Sequence, residues 1–164
     1  MSVETMQELL LDELKDLYSA EKQIVRALPK LAKAATSPDL KQALTNHLEE
    51  TEGQVSRLER IAEMVGKKLT GKTCVGMKGV LEEGSEVLEE TDKGTVRDAA
   101  MIAAAQRVEH YEMAGYGSAR EFAKMLGLSE VASLLGKTLE EEKAADKLLS
   151  GIAKRVNTTA KREG

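Results

Sequence analysis

The 164-residue sequence is poor in aromatic side chains and in proline. Aromatic residues make up 2% of the chain, as three tyrosines and one phenylalanine, and tryptophan is absent. This composition argues against a β-sandwich or β-barrel, whose strands depend on aromatic and β-branched residues. The two prolines and the many Ala, Leu, Glu and Lys residues are instead typical of long helices.

Cysteine, long apolar runs and an excess of positive charge are also missing. The single Cys74 excludes an intramolecular disulfide and a zinc site with several cysteines, and we expect its thiol to be inert. No run of 18 apolar residues occurs, and the acidic N-terminus does not resemble a signal or transit peptide. The net charge of −4 does not favour contact with nucleic-acid phosphates. We therefore expect a cytoplasmic, soluble single domain over residues 1–164, with neither nucleic acid nor a membrane as partner.

Apolar residues at helical spacing predict four long helices and one short helix. Thr5 and Glu8 form the pattern of a capping box at the first start, and Pro29 predicts a kink or break in that helix. The second helix is expected to start after Ser37 and to end at Gly66. The predicted ranges are 5–35, 38–65, 77–90, 96–126 and 130–156, with a polar tail that is expected to fray.

The connection between the second and third long helices is much longer than a hairpin needs. It has roughly thirty residues, which is enough chain to run the length of a helical bundle. The predicted fold is therefore all-α: a four-helix bundle with a long crossover that carries a short extra helix between the second and third long helices.

Several polar residues occupy positions in the apolar stripes of these helices. Every long helix directs at least one carboxylate inward near its middle, and the second also directs a histidine inward. These residues are Glu21, then His47 with Glu50 at the stripe's edge, then Glu109 and Glu112, and finally Glu142 with Asp146 one turn beyond.

A cluster of buried carboxylates needs compensation. Burying one unpaired carboxylate costs several kcal/mol, and several together repel one another. They must be protonated, paired with cations or bound to metal, and Arg120 is the only evident cation on these faces. Two divalent ions would neutralise four carboxylates, and oxygen ligands with an imidazole suit iron or manganese.

The sequence thus suggests a set of metal ligands and a set of neighbours that could tune them. The candidate ligands are Glu21, His47, Glu50, Glu109, Glu112 and Glu142, and the candidate neighbours are Tyr18, His110, Tyr116 and Asp146. A structural interpretation stays open for each of them. A glutamate can be a solvated flank, His47 a satisfied core histidine, and either tyrosine a core residue with a bonded hydroxyl.

Five segments carry a resemblance to a known family: YSAEKQ (18–23), ALPK (27–30), HLEETEGQ (47–54), AQRVEHYE (105–112) and LEEEK (139–143). In this order they resemble the YciE/YciF-like family of bacterial ferritin-like proteins, which are associated with stress responses. The resemblance covers nearly the whole chain. It implies a ferritin-like four-helix bundle with a short extra helix, a homodimer and a di-metal centre.

The wider ferritin-like superfamily has Glu on the first helix, Glu-x-x-His on the second and fourth, and Glu or Glu-x-x-Glu on the third. The resemblance carries these glutamates over to Glu21, Glu50, Glu109, Glu112 and Glu142. The two histidines are not matched, because residues 53 and 145 are glycine and alanine. The implied cofactors are two divalent ions, with iron favoured and manganese as an alternative.

Two functions stay open at this point. One is a di-iron or Fe/Mn protein that binds Fe(II) and reacts it with O₂ or peroxide, as a ferroxidase or a peroxidase-like protein. Glu21 and Glu142 would then be terminal ligands, while Glu50 and Glu109 would bridge. The other is a non-enzymatic helical dimer that acts as a stress-linked interaction or scaffold protein, with its carboxylates as a structural network or single-metal site.

Overall fold

The computed structural model describes residues 2–163, which contain five α-helices. They are α1 (Met6–Ala34), α2 (Pro38–Val65), α3 (Val75–Glu90), α4 (Thr95–Met125) and α5 (Ser129–Glu163). The four long helices form a bundle and the short α3 lies in the crossover between α2 and α4. The predicted all-α fold with a helical crossover is confirmed.

The predicted helix ends are built as their sequence signals indicate. At the start of α1, Thr5 Oγ1 accepts a hydrogen bond from the backbone N–H of Glu8 at 3.2 Å, and the Glu8 carboxylate bonds back to the Thr5 N–H at 2.9 Å. Ser37 caps α2 ahead of Pro38. Gly66 ends α2 with φ of 64°, a left-handed conformation that glycine adopts without steric cost.

Two details of the helices differ from the sequence prediction. α1 runs through Pro29 without a break, because the apolar stripe on both sides of the proline is packed in the core and offsets the lost backbone hydrogen bond. α5 continues to Glu163 rather than ending at residue 156. The Glu163 carboxylate accepts a hydrogen bond of 2.5 Å from the Thr95 hydroxyl, so the polar tail contacts the start of α4.

The helices pack as two hairpins. α1 pairs with α2 and α4 pairs with α5, while α1 also contacts α4 and α2 contacts α5. The crossover helix α3 rests on α1 and α4. No helix in the range 2–163 combines the length and the apolar character needed to cross a membrane.

A buried carboxylate joins the α1–α2 connection to α4. Asp98, in the first turn of α4, accepts hydrogen bonds from the backbone N–H groups of Thr36 at 2.8 Å and Ser37 at 2.6 Å. Its side chain is almost fully buried. Because those two N–H groups sit between helices, the carboxylate supplies a partner that the backbone alone does not.

The apolar core is divided into two clusters along the bundle axis. One cluster contains Ile24, Leu44, Ile102 and Leu149 with their neighbours. The other contains Leu14, Leu17, Leu58, Leu135 and Tyr116 with theirs. On each long helix, polar residues separate the segment in one cluster from the segment in the other, so the middle of the bundle is a polar layer.

Candidate metal centre

Five of the predicted ligand side chains meet in this polar layer. The four long helices each contribute at least one: Glu21 from α1, His47 from α2, Glu109 and Glu112 from α4, and Glu142 from α5. Each carboxylate is at most 2% exposed and His47 is 8% exposed. They converge because each occupies a position of the apolar stripe on its helix, and these stripes face the interior of the bundle.

The five side chains form two groups of three that share Glu142. One group is His47, Glu109 and Glu142, and the other is Glu21, Glu112 and Glu142. Within each group, one potential ligand atom per residue lies within 4.8 Å of the others. His47 Nε2 lies 3.1 Å from Glu109 Oε1 and 4.0 Å from Glu142 Oε2. Glu142 therefore occupies the position between the two groups.

Burial and mutual repulsion make these carboxylates reluctant to ionise. Burial, together with the charge of Glu142, raises the pKa of Glu21 to about 8. Burial and the neighbouring glutamates also raise the pKa of Glu109 and of Glu112 well above the usual range. For His47, burial alone would lower the pKa, but the surrounding carboxylates outweigh it and the pKa is raised.

Many polar atoms of this layer have no hydrogen-bond partner within residues 2–163. Six carboxylate oxygens from Glu21, Glu109, Glu112 and Glu142 are buried and unpaired, as is Nδ1 of His47. Buried acceptors are normally paired, so such a concentration requires an explanation. Carboxylate oxygens and an imidazole are ligands that divalent metal ions accept, so these residues form a possible metal-binding site.

Tyr116 contacts this layer directly. Its hydroxyl donates a hydrogen bond of 2.5 Å to Glu21 Oε1, and both side chains are fully buried. Burial and the nearby carboxylates raise the pKa of Tyr116. The hydroxyl therefore stays protonated and holds Glu21 Oε1 in place. The second oxygen of Glu21, Oε2, is one of the unpaired carboxylate oxygens.

The remaining predicted site residues lie outside the two groups. The Glu50 side chain is 39% exposed, and its carboxylate lies 3.6 Å from His47 Nδ1, beyond hydrogen-bond distance. The Tyr18 hydroxyl donates a hydrogen bond to Glu59 at 3.1 Å and not to a residue of either group. His110 is 66% exposed, and its Nε2 lies 3.3 Å from Asp146 Oδ2 at the edge of the bundle.

A cationic network beside the layer was not predicted from the sequence. Arg57 on α2 binds both oxygens of Glu141 on α5, at 2.8 and 2.9 Å, and Gln54 donates to Glu141 at 3.2 Å. Glu141 is therefore paired and not a fully solvated residue. Arg120, the cation expected from the sequence, instead contacts Glu121 on the surface. No signal within a single helix could identify the Arg57–Glu141 pair, because the partners come from two helices.

Cys74 has a structural position away from this layer. Its sulfur caps α3 by accepting a hydrogen bond from the Met77 N–H at 3.3 Å, and it lies 3.0 Å from the Tyr111 hydroxyl. Tyr111 in turn donates to Asp16 at 2.7 Å. Burial raises the pKa of the Cys74 thiol, which disfavours the reactive thiolate.

Comparisons with known proteins agree with this architecture. Residues 5–161 match the family described as Domain of unknown function (DUF892). The chain is 49% identical to Protein YciF of Escherichia coli strain K12 over 154 residues, which cover 93% of each protein.

Solved structures of similar proteins share the fold. The structure of the E. coli stress protein YciF has a TM-score of 0.92 and 47% identity, over 95% of this chain and 99% of that one. YcfI from Rhodopseudomonas palustris has a TM-score of 0.87 and 45% identity, over 91% of this chain and 95% of that one. A Xanthomonas campestris protein with 22% identity and a TM-score of 0.76, over 97% of this chain and 99% of that one, shares the fold. This chain belongs to the DUF892 or YciF-like family, within the ferritin-like superfamily.

Proposed function

We propose that this protein binds two divalent metal ions, iron or a mixture of iron and manganese, and reacts Fe(II) with O₂ or peroxide in a stress response. The observation that supports the proposal is the pair of three-residue groups that share Glu142. The six unpaired, buried carboxylate oxygens around them are the second support. A purely structural network would be expected to pair these oxygens with donors.

In this proposal, His47 and Glu109 would hold one ion, Glu21 and Glu112 would hold the other, and Glu142 would be a ligand shared by both. This differs from the sequence hypothesis, in which Glu50 and Glu109 bridge, because Glu142 is the residue common to both groups. Glu50, next to His47 and partly exposed, would complete the first ion's ligands from the edge. Two ions of charge +2 would offset four carboxylates and displace their protons.

Two Fe(II) ions held by these residues would supply one electron each, which with two protons would convert O₂ to hydrogen peroxide or hydrogen peroxide to two waters. The protein contributes the surroundings of that reaction. Tyr116 fixes the orientation of Glu21 through its hydrogen bond. The apolar clusters on both sides exclude water and thereby strengthen each charge interaction in the layer.

Anaerobic titration with Fe(II), followed by O₂ or peroxide, tests the proposal. We expect two Fe(II) per chain and oxidation faster than in buffer, followed by the near-ultraviolet absorbance of Fe(III). Glu142→Gln should abolish binding of the second ion and weaken binding of the first, because both groups lose their shared carboxylate ligand. Glu140→Gln is a matched control on the same helix, since Glu140 is exposed and pairs with Lys143.

A chain that binds one ion or none, and does not accelerate oxidation, contradicts this function. That result would favour the interaction or scaffold protein with a structural carboxylate site. The homodimer implied by the family resemblance is a separate proposal. Sedimentation velocity of the purified protein checks it, and a single species at the monomer mass would disprove it.

A further inference from the structure

Two small cavities lie beside the candidate metal centre, in the half of the bundle that α3 covers. The inner cavity has a volume of about 40 Å³ and the outer about 80 Å³. The cavities adjoin, because five side chains line both of them: Ala27, Leu31, Leu81, Ala105 and Val108. His47 and Glu109 form part of the wall of the inner cavity, which also reaches the surface beside Leu148. Arg26, Lys30 and Ser85 line the outer cavity near the surface.

The inner cavity has an almost entirely aliphatic lining. Among the described side chains around it, His47 and Glu109 are the polar ones, and both belong to the metal centre. An ion or a strongly hydrogen-bonded molecule would lose its water contacts there without replacement. Apolar cavities of this kind stay dry and take up small uncharged molecules. The volume is far below the several hundred Å³ typical of sites for organic ligands.

We infer that the two cavities form an apolar passage through which dioxygen reaches the His47–Glu109 side of the metal centre. The inference rests on the proposed function and deepens it, since it selects dioxygen over hydrogen peroxide as the oxidant. Dioxygen is uncharged and forms only weak hydrogen bonds, so it enters an aliphatic passage at little cost. Hydrogen peroxide has two hydroxyl groups that would be left unpaired in the same passage.

Small side chains keep this passage open. Ala105 lies on α4, one turn before Glu109, and lines both cavities. Gly84 on α3 lines the outer cavity, where an added Cβ would lie 3.7 Å from the Ala104 Cβ. A larger residue at Ala105 would fill the space between the two cavities without replacing any proposed metal ligand.

Dissolved dioxygen itself is the first probe, because it is paramagnetic and speeds the relaxation of methyl groups that it approaches. In the metal-free protein under dioxygen pressure, we expect strong relaxation at the methyl groups of Ile24 and Leu44, which line the inner cavity and are 2% and 4% exposed. Leu58 and Leu135 are internal controls, since they are equally or more deeply buried but belong to the other core cluster. Equal effects at all four residues would overturn the inference.

Ala105→Leu is the second probe, with Ala103→Leu as the matched control on an exposed position of the same helix. We expect Ala105→Leu to slow oxidation of Fe(II) by dioxygen severalfold, while anaerobic Fe(II) binding and the reaction with hydrogen peroxide keep the wild-type values. Ala27→Val, a smaller addition to the shared lining, replaces it if Ala105→Leu does not fold. An unchanged dioxygen rate, or equal slowing with both oxidants, would contradict the passage.

The two experiments separate this inference from the proposed function. Selective methyl relaxation in a wild-type protein that does not oxidise Fe(II) would support dioxygen uptake and disprove the redox function. Oxidation of Fe(II) without selective relaxation would disprove the passage and leave the redox function intact.

Discussion

At the scale of single residues, the two tyrosines proposed as neighbours of the metal centre have different environments. Tyr116 is fully buried against Glu21, whereas Tyr18 contacts the surface residue Glu59. Both hydroxyls donate a hydrogen bond to a carboxylate, so the two hydrogen bonds differ mainly in how deeply they are buried. A hydrogen bond contributes more to stability in a buried position, because water cannot replace it there.

We predict that Tyr116→Phe destabilises the metal-free protein by about 1–2 kcal/mol, because Glu21 Oε1 loses its donor inside the core. Tyr18→Phe should change the stability by less than about 0.5 kcal/mol, since water can reach Glu59. Urea denaturation of both variants measures the difference. Equal effects would show that the Tyr116 hydrogen bond does not stabilise the polar layer.

The inward glutamates could be predicted from the sequence, because they occur at the same helical spacing as the apolar residues of their stripe. Glu21, Glu109 and Glu142 replace apolar residues at that spacing, and all three are buried. The spacing of residues along one helix does not predict which residues of two different helices contact each other. The Arg57–Glu141 pair depends on how α2 and α5 lie side by side, which no single helix encodes. Glu50, at the edge of its stripe, is correspondingly only half-buried.

At the scale of helices and their connections, Asp98 joins α4 to the turn between α1 and α2. Its carboxylate accepts two backbone hydrogen bonds while almost fully buried. We predict that Asp98→Ala lowers the free energy of unfolding by about 2–4 kcal/mol, because two backbone N–H groups lose their buried acceptor. Asp92→Ala, at an exposed position before α4, should have little effect. Equal midpoints in urea for the two variants would contradict this role.

The crossover helix α3 is positioned by a close contact at Gly76. A Cβ added there would lie 2.6 Å from Tyr111 Cε2, and the Tyr111 hydroxyl is held by Asp16. We predict that Gly76→Ala destabilises the protein by about 1–3 kcal/mol, because the ring cannot move without losing that hydrogen bond.

Gly79→Ala is the matched control for Gly76. The added Cβ meets no atom within 4 Å, and alanine favours a helix over glycine by up to about 1 kcal/mol. This variant should therefore be stabilised slightly. Thermal unfolding of the two variants gives the comparison, and a loss of stability in both would mean that α3 tolerates no added side chain.

The helix ends show what local sequence predicts well and what it does not. Thr5 with Glu8 and Ser37 with Pro38 start helices as predicted, because these capping signals act within one turn. The end of α5 was predicted too early, because the polar tail has no apolar stripe to mark it. Its last residue is held by Thr95, which is distant in sequence.

At the scale of the whole molecule, the polar layer should control how stability depends on pH. The folded state raises the pKa of Glu21 from 4.5 to about 8 and also raises that of His47. The folded protein therefore holds protons that the unfolded chain releases. The resulting stabilisation is complete below the unfolded pKa of each group and is lost as the pH rises through the folded values.

We predict that the melting temperature of the metal-free protein falls between about pH 6 and pH 8. Saturating Mn²⁺ should reduce or reverse this fall, because metal binding requires the ionised carboxylates that higher pH supplies. Differential scanning calorimetry with and without Mn²⁺ measures both effects. Glu21→Gln should flatten the metal-free profile, and a melting temperature that rises from pH 6 to pH 8 without metal would contradict the assignment.

The division of the core into two apolar clusters has a consequence for cooperativity. Each end of the bundle has its own apolar core, while the layer between them contains buried polar atoms without hydrogen-bond partners among the described residues when no ion is bound. The metal-free bundle should therefore open in two separate units, which hydrogen exchange would detect as two levels of amide protection. Ions bound in the layer would link these two units into one. Metal binding would then increase the amide protection at both ends of the molecule.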